Sequence, residues 1–214
     1  MPRHVNVYFF DREVSYRRAL TSIGPVLTMV VGLIPSTQFA FLLLEDGVTS
    51  ITVQSIIIAA FSGGAIVGGL GYALLQQRLG PATTFRLAIA VNAAAFVILG
   101  LVRAPVALAT GSALLGLACG TYLPFLGQSL IGAAAMAIRT HALGLFTTFN
   151  YIGVAISPVI LAPLRLALGL RGAFIALGAA TGLALAIHMI ASISNTHRKA
   201  VLAQGLRTAR DGRA

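Results

Sequence analysis

The sequence predicts an all-α integral membrane protein, a bundle of six transmembrane helices, and three observations carry that prediction. Hydrophobic residues make up 57% of the 214-residue chain before its 23 glycines are counted, where soluble domains reach roughly 45–50% with glycine included. Charged residues are only 9%, against ~25% in an ordinary globular domain, too few to cover a surface that faces water. The charges also sit at a few places, leaving uncharged stretches at 19–44, 47–77, 87–102, 104–138, 140–164 and 172–197. Each stretch holds an apolar segment near the ~20 residues that cross a bilayer. A soluble enzyme is excluded.

The helices follow in order. The first is expected at Ile23–Leu44, after a mostly polar segment 1–22 and before Glu45 and Asp46. Its apolar run is too long for a secretory signal and lacks a small-residue cleavage site, so it is expected to be retained. The second, Val53–Leu75, carries Gly63, Gly64, Gly68, Gly69 and Gly71, small residues about a turn apart that invite close backbone approach. The third, Thr84–Val102, is the shortest, with Arg86 and Arg103 extending their charged heads toward the two interfaces. The fourth is Val106–Gly127, or on a longer reading to Ala133, and repeats at Gly116 and Gly120 the GxxxG spacing of Gly64 and Gly68. Both pairs read as helix packing within the bundle, with a dimer interface as the alternative. Leu143–Leu164 and Gly172–Ile193 complete the transmembrane domain, residues 23–193, and a basic tail occupies 194–214.

An even number of spans puts both termini on one side. Arg103, Arg165 and Arg171 fall on one face of the membrane and the other twelve of the 15 Lys and Arg on the opposite face. By the positive-inside rule the richer side is cytoplasmic, which places the chain in the plasma (inner) membrane with both termini inside. The net charge of +10 is thereby explained by basic loops and tails beside anionic lipid, not by a nucleic-acid partner. The tail reads equally as a solvated segment or a basic surface helix.

Two spans carry an internal proline followed shortly by a glutamine: Pro35 with Gln38, and Pro124 with Gln128. A proline removes a backbone hydrogen bond, and the interrupted backbone is tolerated where it lines a cavity. Helices 1 and 4 run in opposite directions, so the pair has the form of an inverted 3+3 repeat with a binding site between its halves. Two coincidences among six spans give the same pattern.

Candidate chemistry is sparse. No Asp, Glu, Lys or Arg lies deep within a span, so no intramembrane carboxylate is present for ion coupling. Glu45 and Asp46 are expected as a solvated loop at the outer end of helix 1. The polar neutral residues within spans are Gln38, Asn92, Tyr122, Gln128, Thr147, Thr148, Asn150 and Tyr151; each can line a substrate pathway or simply bond a neighbouring helix. His188 reads as an interfacial imidazole before a proton relay. The single cysteine, Cys119, excludes an intrachain disulfide and a multi-cysteine metal site, and no metal or cofactor motif appears. Rhomboid-type intramembrane proteases share the helix count, but their fourth-helix G-x-S-G serine is not matched by Gly127-Gln128-Ser129-Leu130 or by Ala60-Phe61-Ser62-Gly63. No enzyme is predicted.

Three stretches resemble the C-terminal six-helix half of a major facilitator superfamily transporter. Leu33-Ile34-Pro35-Ser36-Thr37-Gln38, through Leu44-Glu45-Asp46-Gly47-Val48, is similar to the seventh helix and following loop of bacterial members. The run from Gly71 to Gly80 resembles the loop motif G-x-x-x-D-R-x-G, with Arg78 and Gly80 matching, while Gln77 replaces the Asp and Ala73 a Gly that the family has there. Arg139-Thr140-His141-Ala142-Leu143-Gly144, with Gly153 and Ser157-Pro158, resembles the start of the eleventh helix. The resemblance implies alternating access of a small organic solute, of the efflux type, with Gln38, Tyr122, Gln128 and Asn150 facing substrate and Asn92 and His188 peripheral. It also implies twelve helices where this chain supplies six. The chain is then a truncated transporter, or a half that pairs with itself or with another six-helix half, or a membrane protein without transport activity acting as a partner. Lipid and a small-molecule substrate are the other expected partners.

Overall fold

A computed structural model describes residues 38–133, 136 and 139–211, with side chains as far as Ile190. The described chain is helical. A helical segment over 38–45, α1, leads through a turn to α2 (Ile51–Leu79), α3 (Pro81–Leu101), α4 (Pro105–Ala133) and α5 (Arg139–Asp211). The first expected span is described only at its end, with Pro35 and residues 23–37 outside the described residues. The second and fourth expected spans lie within α2 and α4, the third lies within α3 except for its last residue, Val102, and the longer reading of the fourth, to Ala133, is the observed one. The last two share α5, which is interrupted at Gly169 (φ 71, ψ 170) between them. Among the described residues four helices are long and apolar enough to cross a membrane, the last running 52 residues from Arg139 to Ile190. That is more than twice the ~20 residues a bilayer accommodates.

The connections follow from glycine and proline. The α1 helix ends at Gly47 (φ 74), where Val48 N–H reaches back to the Leu43 carbonyl at 2.9 Å, the six-to-one closure that a left-handed residue permits. The α2–α3 turn is a single residue, Gly80 (φ 78), and Pro81 starts α3, where its missing N–H costs nothing. The matched glycine of the loop motif is therefore required by backbone conformation, because a side chain there would be strained.

Helix α4 lies between α2 and α3, and α3 in turn packs on α5. Buried positions form two apolar clusters. One gathers Phe39, Leu42 and Leu43 of α1 with Phe96, Leu99, Leu108, Leu161, Leu170 and Phe174. The other joins Phe85, Ala88 and Ile89 of α3 to Cys119, Tyr122 and Leu126 of α4. Between α2 and α4 the contact is made by backbone: a methyl added at Gly64 or Gly68 would overlap the carbonyls of Ala113 and Leu117, and one at Gly116 or Gly120 those of Phe61 and Ala65. The two GxxxG pairs thus mate with each other inside one chain. Gly63 and Gly71 face open space, since successive residues on a helix turn by about 100° and cannot share one face.

Candidate functional site

The polar side chains of the spans separate into buried and open sets. Tyr122 is fully buried in the α3–α4 cluster, its hydroxyl 3.2 Å from Cys119 Sγ. It therefore lies behind the α4 surface on which Gln128 is found. Asn92 is also fully buried, on α3, with neither Oδ1 nor Nδ2 hydrogen-bonded among the described residues. Gln38 is buried at the start of the described part of α1. His188 is exposed, with Phe85 edge-on at 6.0 Å between ring centroids.

Gln128 and Ser129 on α4 are exposed, as are Thr147, Thr148 and Tyr151 on α5, with Asn150 half-buried. Phe146, one residue before the threonines, packs on the cluster that contains Tyr122 and Leu126, so this part of α5 stands at the level of the C-terminal half of α4. The threonine hydroxyls donate to their own helix, Thr147 to the Leu143 carbonyl and Thr148 to that of Gly144. The carboxamide of Gln128 is held instead by a residue the sequence reading did not single out as functional: Tyr72 of α2 donates its hydroxyl to Gln128 Oε1 at 3.0 Å. The buried Tyr72 reaches α4 from one and a half turns before Arg78, which is exposed in the last turn of α2. Nothing in the sequence announces this bond, because its partners are 56 residues apart; Tyr72 stands one residue before the first position of the loop motif, Ala73.

At the opposite end of the helices the structure corrects the expectation of a solvated acidic loop. Asp46 is only 3% exposed and accepts at Oδ1 from Arg171 Nε, at 2.8 Å, and from Arg171 Nη2. Arg171 also donates to the Gly100 carbonyl at 3.2 Å, so one guanidinium joins α1, α3 and α5 two residues beyond the break at Gly169. A close backbone approach makes this feasible, since a methyl at Gly100 would lie 3.0 Å from the Arg171 carbonyl. Glu45 pairs with Arg165, whose guanidinium stands 5.6 Å from the centroid of Phe41. This second pair is half exposed and contributes little in water. Both carboxylates of the described residues in this region are thus engaged by arginine, and among the described residues no group of three His, Cys, Asp or Glu is placed to hold a metal ion.

No protein-family model matches the chain. Over 121 residues it is 32% identical to the multidrug efflux pump Tap of Mycobacterium bovis and of Mycobacterium tuberculosis. The match covers 56% of this chain and 29% of the length of those relatives. The chain is an apolar helical membrane protein similar to an efflux transporter.

Proposed function

We propose that this chain expels a small organic solute across the plasma membrane by alternating access, as a truncated or half-size transporter of the major facilitator type with six transmembrane helices. The similarity to a multidrug efflux pump carries the reading. Two features support the six-helix form: the 52-residue apolar length of α5, broken at Gly169, and the end of a helix at 38–45 where the first span is expected. In this reading both termini and the Gln128 end are cytoplasmic, and the Asp46–Arg171 end is outside. An enzymatic role, intramembrane proteolysis included, has no support in these features.

The solute pathway runs along the open faces of α4 and α5. Polar side chains on the outside of an apolar helix are costly against lipid and economical against a water-filled cavity. Gln128, Asn150 and the exposed threonines between them form that surface, and Gln38, buried on the first helix, is proposed to meet the solute from the other side of the cavity when the bundle opens. Tyr122 supports it from behind. Only 11% of the apolar stretch of α2 is buried, against 56% for α4, so α2 has a face open to lipid or to a second half, and pairing with a second copy or another six-helix half is part of this reading. The relation of helices 1 and 4 as corresponding members of an inverted repeat belongs to the same reading.

The test is made on the whole chain. Purified protein in liposomes loaded with a fluorescent solute is expected either to show flux that falls when Gln38 or Gln128 is changed to alanine, or to show saturable solute binding and co-purification with a second six-helix chain. Co-purification of a membrane chain with neither flux nor saturable solute binding would overturn the transporter reading in favour of a six-helix partner protein.

A further inference from the structure

We propose that Tyr72 positions Gln128 as a hydrogen-bond donor for the electronegative end of the solute, so that this half selects solutes bearing a carboxylate or carbonyl over organic cations. The inference rests on the pathway assigned above and adds to it a solute class and a positioning residue. The Tyr72 hydroxyl donates to Gln128 Oε1, which takes one of the two acceptor sites of the carboxamide oxygen and turns that oxygen toward α2, so that Nε2, with its two N–H groups, is what the side chain offers to the cavity. Tyr72 is itself buried while Gln128 is exposed, so the tyrosine is not a competing ligand. It fixes the amide from inside the α2–α4 contact, which the glycines have already brought to backbone distance. Without that bond the amide could turn its acceptor outward and serve a cation equally well.

The surrounding charge points the same way. An organic cation is held best by a carboxylate or an aromatic face, and the chain has no carboxylate between Asp46 and Asp211. Asp46 and Glu45 are each engaged by an arginine at the far end of the helices. Toward the Gln128 end of the helices the charged groups and histidines with described side chains are Arg78, Arg86, Arg139, His141 and His188. Arg78 is exposed at the end of the helix that carries Tyr72, and its guanidinium favours an anion near the mouth of the cavity.

The experiment measures dye binding by fluorescence anisotropy to the full chain in lipid nanodiscs, with empty nanodiscs subtracted. Fluorescein serves as the anionic probe and rhodamine 6G as a cationic probe of similar size. The expected result is saturable fluorescein binding about tenfold or more tighter than rhodamine 6G, the size of a hydrogen bond to a charged group. Gln128→Leu should erase most of that preference and Tyr72→Phe should reduce it severalfold at unchanged thermal stability, a readout that a purely structural tyrosine would not move. Gln128→Glu, which replaces the donor by a carboxylate, should reverse the preference toward rhodamine 6G. Saturable binding with equal or greater affinity for rhodamine 6G, or a preference unaltered in Tyr72→Phe, would overturn the inference and leave the pathway standing. No saturable binding of either dye would overturn the pathway reading and the inference with it.

Discussion

The two sides of α4 are built on opposite principles. Toward α2 it presents Gly116 and Gly120 to the carbonyls of Phe61 and Ala65 and receives Gly64 and Gly68 in return. Ser112 adds a hydroxyl donated to the Ile57 carbonyl at 2.7 Å. Toward α3 it presents large side chains: Phe125 stacks on Phe85 at 4.6 Å between centroids, Leu126 and Tyr122 pack beside them, and the space at Gly111 is filled by Leu99. In lipid there is no water to expel from between helices, so affinity comes from fit and hydrogen bonding alone. The glycine side obtains fit by removing side chains and has no room left to adjust. The aromatic side obtains it by interlocking them and can repack.

The largest expected effect breaks the first side. Gly116→Val places branched carbons against backbone that belongs to another helix and cannot rotate away, and should cost about 3 kcal/mol or more, read as loss of monodisperse protein or a large fall in unfolding temperature in detergent. A wild-type melting curve for that variant would show that α2 and α4 do not meet this way. At the end of the helices a third kind of contact ties α1 and α3 to α5. Arg171→Ala leaves the Asp46 carboxylate buried without its partner and should cost about 2–3 kcal/mol, less than a fully buried pair because the guanidinium is partly exposed. Thermal unfolding checks it, and Asp46→Asn combined with Arg171→Ala should recover part of the loss.

The aromatic side can be improved. Asn92 sits in the α3 interior with its amide unbonded among the described residues, and Asn92→Leu, of similar size, should stabilise by about 1 kcal/mol by removing a buried polar group; a lower unfolding temperature would indicate that the amide has a bonded role. The smallest effect separates one glycine from its neighbour. Gly63→Ala faces open space and should stabilise by about 0.5 kcal/mol through helix propensity. Parity between Gly63→Ala and Gly64→Ala would erase the distinction between the open and the mated face.

What the sequence made legible was what charge and backbone dictate. Charged residues cannot sit in the hydrocarbon, so their positions delimit the helices, and α2, α3 and α4 begin and end within a few residues of the expected spans. The turn at Gly80 and the packing role of the GxxxG pairs were legible for the same reason, since both depend on the absence of a side chain. Which face of each helix points inward was not. A helix apolar all round carries no polar stripe to orient it, so Tyr122 and Gln128, both on α4, could not be assigned to different faces, and the buried one was expected on the pathway. The Asp46–Arg171 pair was hidden by a separation of 125 residues, and an acidic pair before a glycine reads locally as a solvated turn. The Tyr72–Gln128 bond lies in the same blind spot, a tertiary contact between residues 56 apart, of which only Gln128, shortly after Pro124, is marked by its own neighbourhood.

The pairing of α2 with α4 also fixes an order of events during synthesis. When α2 enters the membrane its mate has not yet been made, and α3, which is made next, contacts it only slightly. At ~5–20 residues per second the stretch from Leu79 to Ala133 takes roughly 3–11 s to emerge. Through that interval the notch at Gly64 and Gly68 is an unfilled docking place in the bilayer, and any other helix with a small-residue seam competes for it. Correct assembly of this protein is therefore decided by how quickly Gly116 and Gly120 arrive.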